Sequence, residues 1–582
     1  MTKKPIPVIT SFGGVNASGR SSDHVGYQNT VFDSLSKKDQ TKVLKDLAVM
    51  QGLIKPSGSS WSKDSEKIEN LNDFLSQNSD QIRSNTMVRK LDRELYDPDG
   101  IILDQIKASA GGQLPTGFNP GSFYSSRQHA RALQMTIFGM SDTLGQFGIK
   151  WSEIEEKVSP DQIAVFSGSA MGNLDHFGLG GMMQSRIKGS RSSSKNLAFG
   201  LIGMSADFIN AYILGNVGRT GHAAGACATF LFNLQLGKEI IENGTSRVVI
   251  VGSAEAPITP EIYDGFFANS GLSDDKRMVS LQSQLKEKEK EPNQRKACRP
   301  FGDNIGMVLG ESAQFIILMD EELALEIGAE IYGSVPTVAS HADGFKSSIS
   351  GPGIGNYITL AKCVASANKI LGSKTLQEQT FIHAHGTGTP ANRTSESHIL
   401  DKVAKAFGIK KWPVSALKSF LGHSMAVAGG DQLISTLGTW DKGVIPRIHS
   451  IQKPAKDVHD DNLDILINDK VENPNFFKAA FLNAKGFGGN NASALILGPD
   501  VTLSQIKKRH TNKAFRDYEK KLEKTRKSIK AYNENASKGN YKTIYKFNHE
   551  VLEGIDDLET VSYTHLRAHE TSLHLVCRLL LE

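Results

Sequence analysis

The sequence predicts an α/β fold assembled from two similar halves. Short, apolar runs recur at intervals long enough to hold a helix, which is the pattern of buried strands in an α/β layering. A first series of such runs spans about residues 160–330, and a second of comparable length spans 330–498. No literal repeat relates the halves, so the similarity is expected in architecture alone. A chain of 582 residues, 39% hydrophobic and 22% charged, can bury a large core and hold more than one domain.

In chain order, Pro7–Thr10 before Ser11-Phe12-Gly13-Gly14 predicts a buried first strand ending in a glycine turn. Residues from about 33 to 110 are polar and helix-prone, at Leu44–Gln51 and Lys67–Gln77, and predict an inserted helical subdomain. Gln113–Phe118 reads as a loop, and the periodicity of Gln128–Phe147 returns the chain to a core helix. Ile163–Phe166, Val248–Val251 and Gln314–Leu318 are the next strands. Between the last two, Asp274–Cys298 is rich in Lys, Glu and Gln with almost no apolar period, which predicts an exposed, mobile excursion.

The second series is Glu330–Gly333, Thr380–His385, Trp412–Ser415, Ala479–Asn483 and Ser493–Leu497. Beyond Pro499 the composition turns Lys-rich and helical, predicting a solvated helical appendage over 499–560. Residues 561–582, with Cys577, resemble nothing before them and read as a non-native tail outside the functional argument. The expected division is therefore 1–330, 331–498, 499–560 and 561–582.

Composition narrows the function. Lys and Arg total 67 against 62 Asp and Glu, a net of +5 spread thinly, so there is no nucleic-acid footprint, although a local basic patch for an acidic carrier protein is compatible with it. Four cysteines without a CxxC pair indicate neither a disulfide framework nor a cysteine zinc site, and point to a reducing compartment. No stretch reaches the ~18 apolar residues needed to span a bilayer, so a cytoplasmic protein without a membrane span is expected.

Three residues stand in contexts that carry chemistry. Cys227 lies among small residues in Gly221–Thr229, directly before the helical run Phe230–Leu234; at a helix N-terminus, free N–H groups favour a thiolate. His385 lies where strand text runs into His383-Ala384-His385-Gly386-Thr387-Gly388-Thr389-Pro390, a turn offering close backbone approach and two hydroxyls. His423 follows another strand, in Ser415–Gly430. A metal site of His383, His385 and His423 is set aside, since no acidic ligand is suitably spaced. One cysteine and two histidines at core strand ends suit acyl transfer: the thiol takes an acyl group, and two neutral imidazoles donating N–H bonds stabilise an enolate. Lys418, five residues before His423, is placed to fix the histidines' position or protonation.

Together, Gly225-Ala226-Cys227-Ala228-Thr229, His385–Pro390 and Lys418…Gly422-His423 resemble the Cys-His-His β-ketoacyl-acyl-carrier-protein synthases. Gly486–Ala492 resembles their glycine-rich C-terminal loop, and Arg299-Pro300-Phe301 and Gly310-Glu311 resemble further signatures in the family's order. Gly13–Ser22 and Gln113–Phe118 are closer to an extended bacterial subgroup, the FabY-type synthases. The resemblance implies a five-layered α-β-α-β-α thiolase fold of two duplicated halves, working as a homodimer in bacterial fatty-acid synthesis. It implies Cys227 as acylated nucleophile, His385 and His423 as promoters of malonyl decarboxylation, and Lys418 as their support. Cys227 and Phe487 would supply oxyanion N–H groups, Phe487 and Gly488 would border the acyl pocket, and Thr387 and Thr389 would hold the phosphopantetheine arm. No cofactor is implied; substrates arrive on acyl carrier protein (ACP), with acyl-CoA as an alternative primer.

The sequence departs from the family at Asn392-Arg393, where an acidic residue is common, at Gln432, where glutamate is usual, and at Lys485, in place of an aromatic. These put in question the ion or charge site at Gln432 and gating by Phe487. The competing readings are a polyketide-type ketosynthase and a non-catalytic chain-length-factor-like subunit. A thiolase is disfavoured because neither Cys298 nor Cys363 has a glycine-rich context for a second catalytic cysteine.

Overall fold

The apolar runs become strands whose residues face two cores at once. In a computed structural model describing residues 4–58, 60–64, 66–92, 106–348, 351, 353–549 and 551, the first half contributes β1 (Pro7–Asn16), β2 (Ile163–Gly168), β3 (Arg219–Gly221), β4 (Val248–Glu255) and β5 (Ser312–Asp320). The second contributes β6 (Gly333–His341), β7 (Thr380–His383), β8 (Trp412–Ser415), β9 (Leu463–Ile465), β10 (Ala479–Gly486) and β11 (Asn490–Leu497). The tail beginning at 561, with Cys577, lies outside the described residues.

The duplication is plain in the strand order. The first half runs β1-β5-β4-β2-β3 and the second β6-β11-β10-β7-β8, with β9 added at the edge. In both, the first and fourth strands are antiparallel to the fifth, and the fourth, second and third are parallel. Pairing of Val8 with Ser334 and Ile9 with Gly333 joins the two sheets into one ladder.

Helices complete five layers: α1 (Arg131–Phe147), α2 (Thr229–Glu242), α3 (Gly355–Leu371), α4 (Pro390–Ala406), α5 (Ala428–Lys442) and α6 (Asn512–Ala536). Because successive strand side chains point to opposite faces, Val248 and Ile250 meet the outer layer of α1 and α6, while Val249 and Val251 meet the central α2 and α5. In the second half Phe481 and Leu495 face α3 and α4, and Ala480 and Leu482 turn inward to α2 and α5. The central pair α2 and α5 thus begins at the carboxyl ends of parallel strands in both halves, where sites form in open α/β sheets.

Three expectations are corrected. The insertion is not wholly helical: after helix Lys37–Met50 comes a three-stranded antiparallel meander, Lys55–Ser57, Ser60–Lys63 and Glu66–Ile68, before helices Leu71–Gln77 and Ser79–Ser84. Pro56 and Gly58 (φ +60°) break helical text there. Asp274–Cys298 is docked rather than free: helix Asp275–Gln284 is capped by Asp274 and buries Met278 and Leu281, and Glu287 pairs with Arg299 at 3.2 Å. A spacing of three residues was all the apolar period it needed.

The Lys-rich appendage is also part of a core. Phe515, Tyr518, Leu522 and Tyr532 of α6 are buried against the first half. Burying such a side chain is worth about 1.5–3 kcal/mol, whereas an exposed pair such as Arg526–Glu330 is worth roughly 0–1 kcal/mol, so the apolar stripe holds the helix. Its polar end is bolted as well. The Tyr532 hydroxyl donates to Asp142 at 2.7 Å, and fully buried Arg20 donates to Asn533 at 2.8 Å while pairing with Asp46 of the insertion at 2.8 Å.

Candidate active site

Cys227 sits in a short turn, Ala226–Ala228, that leads directly into α2, as its sequence context predicts. Ala226 holds φ +49°, a left-handed conformation unusual for a residue with a Cβ. The glycine-rich loop closes over this turn: a Cβ on Gly486 would lie 2.2 Å from the Gly225 carbonyl oxygen and 3.1 Å from the Cys227 nitrogen, so only glycine fits there. The thiolate expected at a helix N-terminus is opposed here by burial. Burial pushes the Cys227 thiol up to about 12, with Lys418 opposing the rise and Glu255 adding to it. Desolvation of the charged form outweighs the helix end.

The second half repeats the device. Met425–Val427 forms a matching turn into α5, and Met425 holds φ +48°. His423 precedes it, its backbone fixed by His423 N–H to the Val308 carbonyl at 2.6 Å and Gly310 N–H to the His423 carbonyl at 3.0 Å. Its Nε2 lies 3.1 Å from Cys227 Sγ. The His385 ring stands perpendicular to the His423 ring, with centroids 5.3 Å apart.

Hydrogen bonds select the tautomers. Met425 N–H donates to His423 Nδ1 at 3.3 Å, and Lys418 Nζ approaches His385 Nδ1 at 3.5 Å, leaving Nε2 of each ring as the N–H donor. Both imidazoles are held neutral: burial, and then the charge of Lys418, depress them well below the usual histidine range. Lys418 is itself buried and donates to the His385 carbonyl.

The turn after β7 is shaped by Gly386 (φ +52°) and Gly388 (φ +79°); a Cβ on Gly386 would meet that of Ala416 at 2.7 Å. Thr387 and Thr389 share a hydroxyl hydrogen bond at 3.0 Å on its rim. Beneath it lies Glu396 of α4, a residue the motif reading passed over. Its carboxylate accepts from His385 N–H at 2.6 Å, Gly386 N–H at 2.8 Å, and the Asn392 and Asn483 amides, each at 2.8 Å. The available signal was a carboxylate eleven residues after His385, nearly two helical turns past the N-terminus of α4. Gln432, flagged as a departure, donates from Nε2 to the Ala384 and Asn483 carbonyls, both at 3.0 Å.

Phe487 is 43% exposed, with its ring 5.9 Å from that of Phe266, and Gly488 follows it with φ +84°. The loop thus presents an aromatic ring beside the nucleophile's turn. His383 is not drawn in: it is fully buried against Phe381, and neither ring nitrogen has a hydrogen-bond partner. Among the described residues no group of three His, Cys, Asp or Glu is placed to hold a metal ion. Cys298 lies behind the threonine turn, 3.8 Å from the Thr387 carbonyl, and Cys363 donates to the Ser493 carbonyl at 3.2 Å in another core. Neither is hydrogen-bonded to Cys227. The arrangement can therefore carry an acyl group on one sulfur and offer neutral N–H donors to an adjacent developing oxyanion.

Comparison with known proteins fits this geometry. The β-ketoacyl synthase N-terminal domain model matches residues 62–324 and the C-terminal domain model residues 332–452. Beta-ketoacyl-[acyl-carrier-protein] synthase FabY of Pseudomonas aeruginosa is 42% identical over 94% of this chain and 94% of its own. The 3-oxoacyl-[acyl-carrier-protein] synthase 2 of Staphylococcus aureus is 29% identical over 57% of this chain and 74% of its own. Among solved structures, the noncanonical ketosynthase FabY from P. aeruginosa superposes with a TM-score of 0.90 at 41% identity, covering 95% of this chain and 94% of that one. A beta-ketoacyl synthase from Burkholderia phymatum shares the fold at a TM-score of 0.60 and 19% identity, covering 85% of this chain and 99% of that one.

Proposed function

The chain belongs to the β-ketoacyl synthase family, and from that premise we propose that it condenses an enzyme-bound acyl group with malonyl-ACP, releasing carbon dioxide, in bacterial fatty-acid biosynthesis. The observation that carries this reading is the 3.1 Å approach of His423 Nε2 to Cys227 Sγ, beside a second imidazole that is also held neutral. In the first half-reaction Cys227 attacks an acyl thioester; the carrier sulfur leaves and takes up the thiol proton. Malonyl-ACP then enters along Thr387 and Thr389, which hold its phosphopantetheine arm. Loss of carbon dioxide leaves an electron pair on the enolate, whose oxygen accepts the Nε2–H bonds of His385 and His423. The enolate carbon attacks the Cys227 thioester while the backbone N–H groups of Cys227 and Phe487 hold the oxyanion. Collapse expels the Cys227 sulfur as a thiolate, which takes up one proton from solvent to restore the thiol, and releases β-ketoacyl-ACP.

Lys418 supports both histidines, and Phe487 with Gly488 borders the acyl pocket. No further cofactor takes part, since phosphopantetheine carries the acyl groups. On this reading the enzyme works in the cytoplasm; no helix among the described residues is long and apolar enough to cross a membrane. Incubation with acetyl-CoA and separately with acyl-ACPs, followed by malonyl-ACP, tests the scheme by intact-protein mass spectrometry. An adduct on Cys227 that discharges as β-ketoacyl-ACP is expected, and the donor that works identifies the primer. Absence of any adduct would favour a non-catalytic, chain-length-factor-like subunit.

The functional unit on this reading is a homodimer. Among the described residues strand β3 ends the first half's sheet with an unpaired edge, and the segment preceding it exposes Met183, Ile187, Leu197, Leu201 and Val217. An open edge beside exposed apolar side chains is the composition of an interface. Sedimentation equilibrium should give twice the 63.3 kDa chain mass, and Leu201→Arg should shift it toward the monomer; a monomeric, active wild type would refute the dimer.

A further inference from the structure

Asp431 is buried in α5 and has no cation within salt-bridge distance among the described residues. A buried carboxylate in that position must be held by hydrogen bonds, and Asp431 has four. Oδ1 accepts from Asn16 Nδ2 at 3.0 Å, Ser312 Oγ at 2.8 Å and Gln314 Nε2 at 3.0 Å, all from the first half. Asn16 can only donate here, because its Oδ1 already accepts the Ser18 N–H at 2.9 Å. Oδ2 is given to a single partner, the Ser424 hydroxyl, at 2.6 Å.

Ser424 stands between His423 and Met425, in the turn whose Met425 N–H fixes the His423 tautomer and whose Met425 adopts φ +48°. Such strain costs of order 1–3 kcal/mol and persists only where the surroundings over-determine it. The equivalent turn at Cys227 is clamped locally by a neutral hydroxyl: Gly225 N–H donates to Thr229 Oγ1 at 3.0 Å, and Thr229 Oγ1 donates to the Ala226 carbonyl at 2.7 Å. The His423 turn is clamped instead by a carboxylate anchored across the junction of the two halves.

We propose that Asp431 is a positioning residue for His423: acting through the Ser424 hydroxyl, it holds the 423–425 turn so that Nε2–H stays directed at Cys227 Sγ. The inference rests on the reading of His423 as a donor to the enolate. It implies that loss of the Oδ2 bond damages the decarboxylation and condensation step selectively, whereas loss of an Oδ1 bond damages stability alone.

The test combines steady-state condensation kinetics, Cys227 acylation followed by intact mass, and thermal unfolding on full-length Asp431→Asn, Ser424→Ala and Ser312→Ala. Asp431→Asn and Ser424→Ala should each lower kcat about 10–100-fold, with KM for malonyl-ACP and the acylation rate within about threefold of wild type. The double variant should be no slower than the slower single, because both remove one bond. Ser312→Ala should lower the unfolding midpoint and leave kcat unchanged. The proposal is overturned if Ser424→Ala keeps wild-type kcat, or if kcat falls in all three variants in step with the midpoint. Should Asp431→Asn not fold, Ser424→Ala against Ser312→Ala decides. His423→Ala run alongside separates the two layers: if it leaves malonyl decarboxylation intact, the role of His423 itself fails.

Discussion

Cys227→Ala should reduce β-ketoacyl-ACP formation by at least about 10⁴-fold, to background, while malonyl-ACP continues to lose carbon dioxide and accumulate as acetyl-ACP. The two outcomes separate because the residues that serve them are separate. In the proposed scheme the sulfur is the covalent acceptor for the acyl group, and among the described residues no other thiol can replace it: Cys298 and Cys363 are buried, hydrogen-bonded to backbone carbonyls, and raised to about 12 by burial. In that scheme the enolate-stabilising donors are His385 and His423, whose tautomers are set by Lys418 and Met425 rather than by the thiol. Alanine also fits the turn, which already carries Ala226 and Ala228. Radiochemical assay of condensation with mass analysis of the ACP products would show both effects. A comparable loss of condensation in Cys363→Ala would contradict the assignment of the nucleophile.

Glu396→Ala is expected to cause the next largest loss, although Glu396 touches no reacting atom. Removing its carboxylate strands three buried donors, the backbone N–H groups of His385 and Gly386 and the Asn483 amide, and the half-buried Asn392 amide. Each unsatisfied donor costs about 1–3 kcal/mol. The turn is free to shift toward relief, and a displacement near 1 Å at a catalytic group costs about 10²-fold in rate. We expect kcat/KM to fall at least about 10²-fold together with a lower unfolding midpoint. Glu396→Gln should be intermediate, since one oxygen still accepts while its NH₂ opposes a donor. Wild-type kinetics in Glu396→Ala would show that the turn holds its shape without this carboxylate.

Much of the site could be read from the sequence because its chemistry is local. Cys227, His385 and His423 each stand where a strand or small-residue turn gives way to a helix, and the glycines beside them are visible at once. Glu396 and Asp431 were obscure for the opposite reason. Their partners are assembled by the fold: Glu396 reaches the loop before its own helix and Asn483 on β10, and Asp431 draws donors from β1 and β5, more than 100 residues away. The two α/β halves followed from the apolar runs and the five layers from the family resemblance, but the docking of α6 followed from neither. Phe515, Tyr518 and Leu522 keep helical spacing, yet the Lys-rich text around them dominates any reading of composition. The meander in the insertion was masked by polar residues whose strand state is set by a Pro and Gly turn rather than by burial.

The bolt between Arg20 and Asn533 also has a meaning in time. Its two residues are 513 positions apart, so at about 5–20 residues per second of synthesis roughly 25–100 s pass between the appearance of one and the other. Throughout that interval the guanidinium of Arg20, joined partway by the carboxylate of Asp142, exists on the nascent chain without the helix that later covers both. The first half, made first, is thus finished last, and a chain interrupted before α6 leaves the ribosome with the outer face of its earliest-made core still open to water.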